Sequence, residues 1–132
     1  MAKLRAFFFD IGGTLGDVDP TTLKLTPYPS TLELLQGVSA LGVKIGVISN
    51  TPPGVLRARV RQILKEAHLD HFFTTAALIT SADAGKAKPD PAIYQQAAAA
   101  VGLELEECVY FGEAASEVAA AIETGMQGIL KP

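Results

Sequence analysis

The run Ala6-Phe7-Phe8-Phe9, ending in Asp10-Ile11-Gly12-Gly13, most restricts what this chain can become. Four consecutive apolar residues predict a strand covered on both faces, because a strand with one wet face would alternate apolar and polar positions. The glycine pair marks a sharp bend where the backbone comes close to something. Asp10 then stands at the carboxyl end of the strand. In an open parallel sheet ligands bind outside that end, where a carboxylate can serve as nucleophile or metal ligand. A turn-capping or helix-capping aspartate is the competing reading of this stretch taken alone.

The remainder alternates strand and helix signals. This predicts a mainly parallel five-stranded sheet with helices on both faces, a three-layer α/β/α sandwich spanning residues 1–132 as one domain. Residues 16–29 are rich in Gly, Asp, Thr and Pro, and Thr22-Leu23-Lys24-Leu25 predicts a small flap or hairpin beside the end of the first strand. Ser30-Thr31-Leu32-Glu33 reads as a capping box opening a helix with Leu34, Leu35, Val38 and Leu41 inward and Gly42 as its end. Strands are expected at Val43–Ile48, within Thr74–Ile79, at Cys108–Phe111 and around Gln127–Leu130. Helices are expected with the apolar stripe Leu56, Val60, Ile63, Leu64 and Ala67, from Pro91 (capped by Asp90) to Gly102, and with Val118, Ala119 and Ile122 before Gly125.

Composition narrows the function classes. A hydrophobic content of 48% excludes a disordered chain, and a net charge of −3 provides no attraction for nucleic acid or an anionic membrane surface. The basic face Arg57, Arg59, Arg61 and Lys65 reads as solvated, and His68 and His71 lack companions at metal-ligand spacing. The lone Cys108, beside Val109-Tyr110-Phe111, reads as a small buried residue. With no signal peptide or membrane-spanning segment in the sequence, a cytoplasmic protein is expected.

The polar residues converge. Asp10 ends strand one, Ser49 and Asn50 end strand two, Lys86 and Lys88 follow strand three, and Glu113 and Glu117 follow strand four. Together they compose a phosphate-handling site, with a carboxylate to attack, a hydroxyl and an ammonium to hold phosphoryl oxygens, and further carboxylates for Mg²⁺. In this order the motifs resemble those of the haloacid dehalogenase superfamily. The matching stretches are Phe7-Phe8-Phe9-Asp10-Ile11-Gly12-Gly13-Thr14-Leu15, Val47-Ile48-Ser49-Asn50, Gly85-Lys86-Ala87-Lys88-Pro89-Asp90-Pro91 and Val109-Tyr110-Phe111-Gly112-Glu113-Ala114-Ala115-Ser116-Glu117. The resemblance implies a Rossmann-like core with Asp10 as nucleophile and Lys88 beside it. Ser49, Asn50 and Lys88 would hold the phosphoryl group, and Asp10, the Gly12 carbonyl, Glu113 and Glu117 would surround Mg²⁺.

Two departures bear on chemistry. Family phosphatases carry a second aspartate, the general acid/base, where this chain has Gly12, and an aspartate where it has Glu113. Loss of a positioned acid/base costs about 10²–10⁴-fold in rate, so a slow enzyme is expected unless Asp17 or Asp19 on the flap stands in. No segment between the motifs has room for the inserted cap domain of dehalogenases and phosphonatases. An uncapped site implies a large substrate, or closure by a partner protein or a second copy. The expected function is therefore a Mg²⁺-dependent phosphohydrolase or phosphotransferase acting on a phosphorylated small molecule or macromolecule. Two alternatives stand beside it. One is a catalytically inactive phosphate-binding or protein-interaction module. The other, more distant, rests on Asp10-Ile11-Gly12-Gly13-Thr14 resembling the phosphate loop of actin-like sugar kinases.

Overall fold

The computed structural model describes residues 3–132. Its centre is β1 (Ala6–Phe9), hydrogen-bonded in parallel to β4 (Lys44–Ser49) on one side and to β6 (Cys108–Gly112) on the other. Beyond β4 lies β5 (Leu78–Thr80) and beyond β6 lies β7 (Gln127–Leu130), giving a parallel sheet ordered β5-β4-β1-β6-β7. The alternation of β1 accounts for the triple phenylalanine. Ala6 and Phe8 join a core shared with α4 (Pro91–Ala100) and α5 (Ala115–Thr124), whereas Phe9 joins the opposite core with α1 (Thr31–Ala40) and α2 (Arg57–Glu66). Both faces of the sheet are thus covered, which is the three-layer arrangement expected.

After β1 the chain leaves toward the α1 face, and after β6 it leaves toward the α5 face. The crevice between the carboxyl ends of these neighbouring strands is the topological switch point of the sheet, where open α/β folds receive ligands. A two-stranded antiparallel hairpin, β2 (Gly16–Val18) and β3 (Leu25–Pro27), rises beside it. Its strands flank the Thr22-Leu23-Lys24 stretch, which forms the tip and not a strand. No cap domain is inserted between the strands among the described residues.

Several local expectations are corrected. Ser30 precedes α1, but its hydroxyl makes no capping bond, because its backbone is helical (φ −87°, ψ −7°) and turns the side chain away from the free N–H groups. Thr31, Leu35 and Val38 form the buried face of α1, and Leu41 is 65% exposed beyond the helix end. In α5 the buried pair is Val118 and Ala121, with Ile122 exposed. Residues Thr75–Ala77 form a turn of 3-10 helix, so β5 begins only at Leu78. The basic face of α2 is not merely solvated: Arg57, Arg59 and Arg61 donate to the carbonyls of Leu78, Thr22 and Phe73. Asp90 caps α4 as expected, its Oδ1 accepting from the Ala92 N–H at 2.9 Å. Cys108 is fully buried and its thiol is pushed up to about 11, first by burial and then by Glu107 and Glu106, so it stays a protonated packing residue.

Candidate active site

Asp10 continues the ladder of β1 by one residue, donating its N–H to the Phe111 carbonyl at 3.0 Å, and its side chain emerges into the switch-point crevice. Its Oδ1 accepts from the Ile11 N–H at 2.9 Å and faces Lys88 Nζ at 3.1 Å. Burial raises the Asp10 pKa above its ordinary value, against the opposing pull of Lys88.

Lys88 is the hub of the site. Its side chain is 1% exposed, and Nζ lies 3.1 Å from Asp10 Oδ1, 3.0 Å from Glu117 Oε1 and 2.7 Å from the Tyr110 hydroxyl. An ammonium has three N–H donors and no acceptor, so these three partners use it fully. The Tyr110 O–H donates onward to Glu117 Oε1 at 3.2 Å, and the Tyr94 O–H donates to the Glu117 backbone carbonyl at 2.7 Å. Burial, and then the nearby Asp10 and Glu117 charges, push the Tyr110 hydroxyl far above its ordinary range, so it remains a donor. The backbone of Lys88 is clamped by Asn50, whose Oδ1 accepts from the Lys88 N–H at 2.8 Å while Nδ2 donates to the Lys88 carbonyl at 3.0 Å. The Asn50 amide is therefore spent on positioning the lysine.

Asp10, Gly12, Ser49, Asn50, Thr51, Lys88 and Glu117 line one cavity of about 250 Å³. Ser49 reaches it from the end of β4, where it is buried. The Thr51 hydroxyl is buried and finds no hydrogen-bond partner among the described residues, an orphaned donor beside the place where an anion would sit.

Other expected residues lie apart. Glu113 is exposed, outside the cavity lining, with its carboxyl over Gly13. There a Cβ would come within 2.8 Å of Glu113 Cδ, and the backbone has φ +79°, so glycine suits the position on both counts. Lys86 is exposed and lines a separate shallow groove. Of the flap acids, Asp17 accepts from the Tyr28 hydroxyl at 3.0 Å, and Asp19 accepts from the Thr21 and Thr22 N–H groups at 2.8 and 2.9 Å. These backbone bonds hold the Asp19 carboxyl below the usual range. Neither lines the cavity, because both are engaged in shaping the hairpin.

Among the described residues no three His, Cys, Asp or Glu side chains stand close enough to hold a metal ion as they are. The donors that the motifs bring near the crevice are nevertheless all hard oxygens. Asp10 and Glu117 share a single ammonium, leaving a net negative charge that a divalent cation would balance, so their chemistry suits Mg²⁺.

The residues that sequence reasoning passed over are Tyr110, Tyr94 and Thr51. Tyr110 lies in the apolar strand Cys108–Gly112, and the available signal was that a buried tyrosine needs a partner for its hydroxyl.

Comparison with known proteins identifies the family of the chain. A family model for haloacid dehalogenase-like hydrolases matches residues 21–125, a span that holds Ser49, Lys88, Glu113 and Glu117 and begins after Asp10. The chain is 32% identical over 103 residues to the phosphatase MT3486 of Mycobacterium tuberculosis, covering 78% of this chain and 45% of that protein. It is 30% identical over 89 residues to the glyceraldehyde 3-phosphate phosphatase of Methanopyrus kandleri, covering 67% and 36%. The chain thus spans less than half the length of these curated relatives. A solved structure of a HAD-superfamily hydrolase from Ehrlichia chaffeensis superposes with a TM-score of 0.76 at 18% identity, covering 98% of this chain and 89% of that one, a likeness of fold. By its motifs, its fold and this match, the chain belongs to the haloacid dehalogenase-like hydrolases.

Proposed function

We propose that this chain is a Mg²⁺-dependent phosphohydrolase or phosphotransferase working through an aspartyl-phosphate on Asp10. The observation that carries the reading is the Asp10–Lys88–Glu117 cluster at the switch point, facing a cavity that Ser49 and Thr51 also line. Lys88 and the Ile11 N–H both engage Oδ1 of Asp10, which orients the carboxylate and leaves Oδ2 to attack phosphorus. Ser49 and Thr51 supply hydroxyl donors for the phosphoryl oxygens, while Lys88, whose N–H groups are engaged by Asp10, Glu117 and Tyr110, offers them its positive charge and is kept in place by Asn50. Mg²⁺, which members of this family generally use, would be held by Asp10, the Gly12 carbonyl and Glu117, joined by Glu113 once its carboxyl turns from Gly13 toward the crevice, and would neutralise charge on the phosphoryl group. The substrate is a phosphorylated small molecule or macromolecule, and a second chain would close the crevice.

The inactive phosphate-binding module is the second reading, favoured by the absence, among the described residues, of any acid beyond Asp10 and Glu117 in the cavity lining. Phosphate release from p-nitrophenyl phosphate and acetyl phosphate, with and without Mg²⁺, separates the two when combined with mass spectrometry for a phosphorylated Asp10. The enzyme reading expects slow Mg²⁺-dependent release that disappears in Asp10→Asn. Gly12→Asp is expected to raise the rate by about 10²-fold or more. That substitution fits the fold, since a Cβ at Gly12 meets only Val18 Cγ2 at 3.8 Å. A silent native chain that binds phosphate, with Gly12→Asp also silent, would favour the binding module.

A further inference from the structure

The cavity has two unlike halves. Asp10, Ser49 and Lys88 belong to its polar lining, while Val18, Leu23, Pro52, Val55, Val60 and Ile63 make its apolar lining. Among the described residues, no charged side chain other than Asp10, Lys88 and Glu117 lines it. Its volume of about 250 Å³ accommodates a phosphoryl group with a compact apolar group beside it. A second observation concerns the hairpin tip. Leu23 has φ +64°, a left-handed conformation that leucine rarely adopts. It is held there by its N–H donating to the Asp19 carbonyl at 2.8 Å, and Arg59 pins the preceding residue by donating to the Thr22 carbonyl at 3.0 Å. The Leu23 side chain lines the cavity and packs against the core formed with α1 and α2, so the hairpin tip contributes apolar surface to the site.

The leaving group is constrained as well. Lys88 has its three donors occupied, and the Glu117 carboxylate accepts from both Lys88 and Tyr110, so neither is placed to hand a proton to a departing oxygen. Building on the phosphoryl-transfer reading above, we propose that the substrate is a compact aryl or acyl phosphate. Its apolar body packs against Val18, Leu23 and Val55, and its oxygen leaves without protonation. Asp10 Oδ2 forms a bond to phosphorus as the bond from phosphorus to the leaving oxygen breaks. The electron pair departs on that oxygen as a phenolate or carboxylate. Water then attacks the aspartyl-phosphate at phosphorus, restoring the Asp10 carboxylate and releasing phosphate and a proton. Such a substrate differs from the polar triose phosphate named for a relative.

The test is a substrate panel on the native chain with Mg²⁺. It contains substituted phenyl phosphates spanning a range of leaving-group acidity, benzoyl and acetyl phosphate, cyclohexyl phosphate and glycerol 3-phosphate. The proposal expects kcat/KM to change by more than about 10²-fold across the phenyl series, a dependence that flattens in Gly12→Asp, where an acid has been restored. Cyclohexyl and glycerol phosphates should turn over least. Leu23→Gly relieves the left-handed backbone but removes a side chain packed on the core, so its folding is checked by a thermal melt; it should raise KM for phenyl phosphate about tenfold, lowering the preference for phenyl or benzoyl over acetyl phosphate. Glycerol 3-phosphate turned over as fast as phenyl phosphate, with activity lost in Asp10→Asn, would overturn the substrate class and leave the phosphoryl-transfer reading standing. No turnover of any donor and no label on Asp10 from acetyl phosphate would overturn both.

Discussion

A buried lysine is tolerable only when its charge is met, and Lys88 is met by two carboxylates and a tyrosine hydroxyl. Lys88→Met would leave Asp10 and Glu117 facing each other without a counter-charge. Removing one partner of a fully buried pair costs about 3–5 kcal/mol, and since Asp10 and Glu117 keep 16% and 20% of their side chains in solvent, about 3 kcal/mol is expected by urea denaturation at neutral pH. Asp10 carries a stability cost of its own. Burial raises its folded pKa above 3.8, so the folded chain holds a proton that the unfolded chain has already released. That contribution is present at and below the unfolded value and is lost as pH rises through the raised folded value. Asp10→Asn, which cannot ionise, should therefore melt above the native chain at neutral pH and level with it near pH 3. Melting curves across that pH range check the sign, and a native chain as stable as the variant at pH 7 would contradict it.

Among the elements, the helix starts separate a sequence signal that works from one that does not. Asp90 and Pro91 open α4 as their types predict, because Asp90 has extended backbone (φ −60°, ψ 130°) and its carboxylate reaches the Ala92 N–H. Ser30 has the right residue type and spacing, yet its backbone is already helical, and Thr31 instead donates its hydroxyl to the Leu15 carbonyl at 2.6 Å. That bond ties the start of α1 to the loop after Asp10, a tertiary demand that takes precedence over the local capping pattern. Asp90→Ala should cost about 1 kcal/mol, and Ser30→Ala should stay within about 0.5 kcal/mol. Thermal melts of the two variants side by side test the contrast.

For the whole molecule, the sheet lies so close to its connections that side-chain volume is limited in the middle of β4. A Cβ at Gly46 would run into the carbonyl oxygen and methyl of Ala77, in the turn before β5. Gly46→Ala should cost about 1–3 kcal/mol by overpacking, read from denaturant midpoints, because backbone cannot rotate aside as a side chain can. The sequence by itself determined the parallel sheet, the strand that ends at Asp10 and the gathering of Asp10, Ser49, Lys88 and Glu117. Those signals are local, since an apolar run that stops at a polar residue announces a strand end, and strand ends in such a sheet share one edge. Tertiary structure alone decided which of the gathered groups touch. It turned Glu113 out over Gly13, spent Asn50 on the Lys88 backbone and engaged Asp17 and Asp19 in the hairpin. It also brought Tyr110, twenty-two positions from Lys88, into hydrogen-bonding distance and set apolar walls around the site. Such contacts depend on strand register and side-chain direction across the sheet, which no short stretch of sequence encodes.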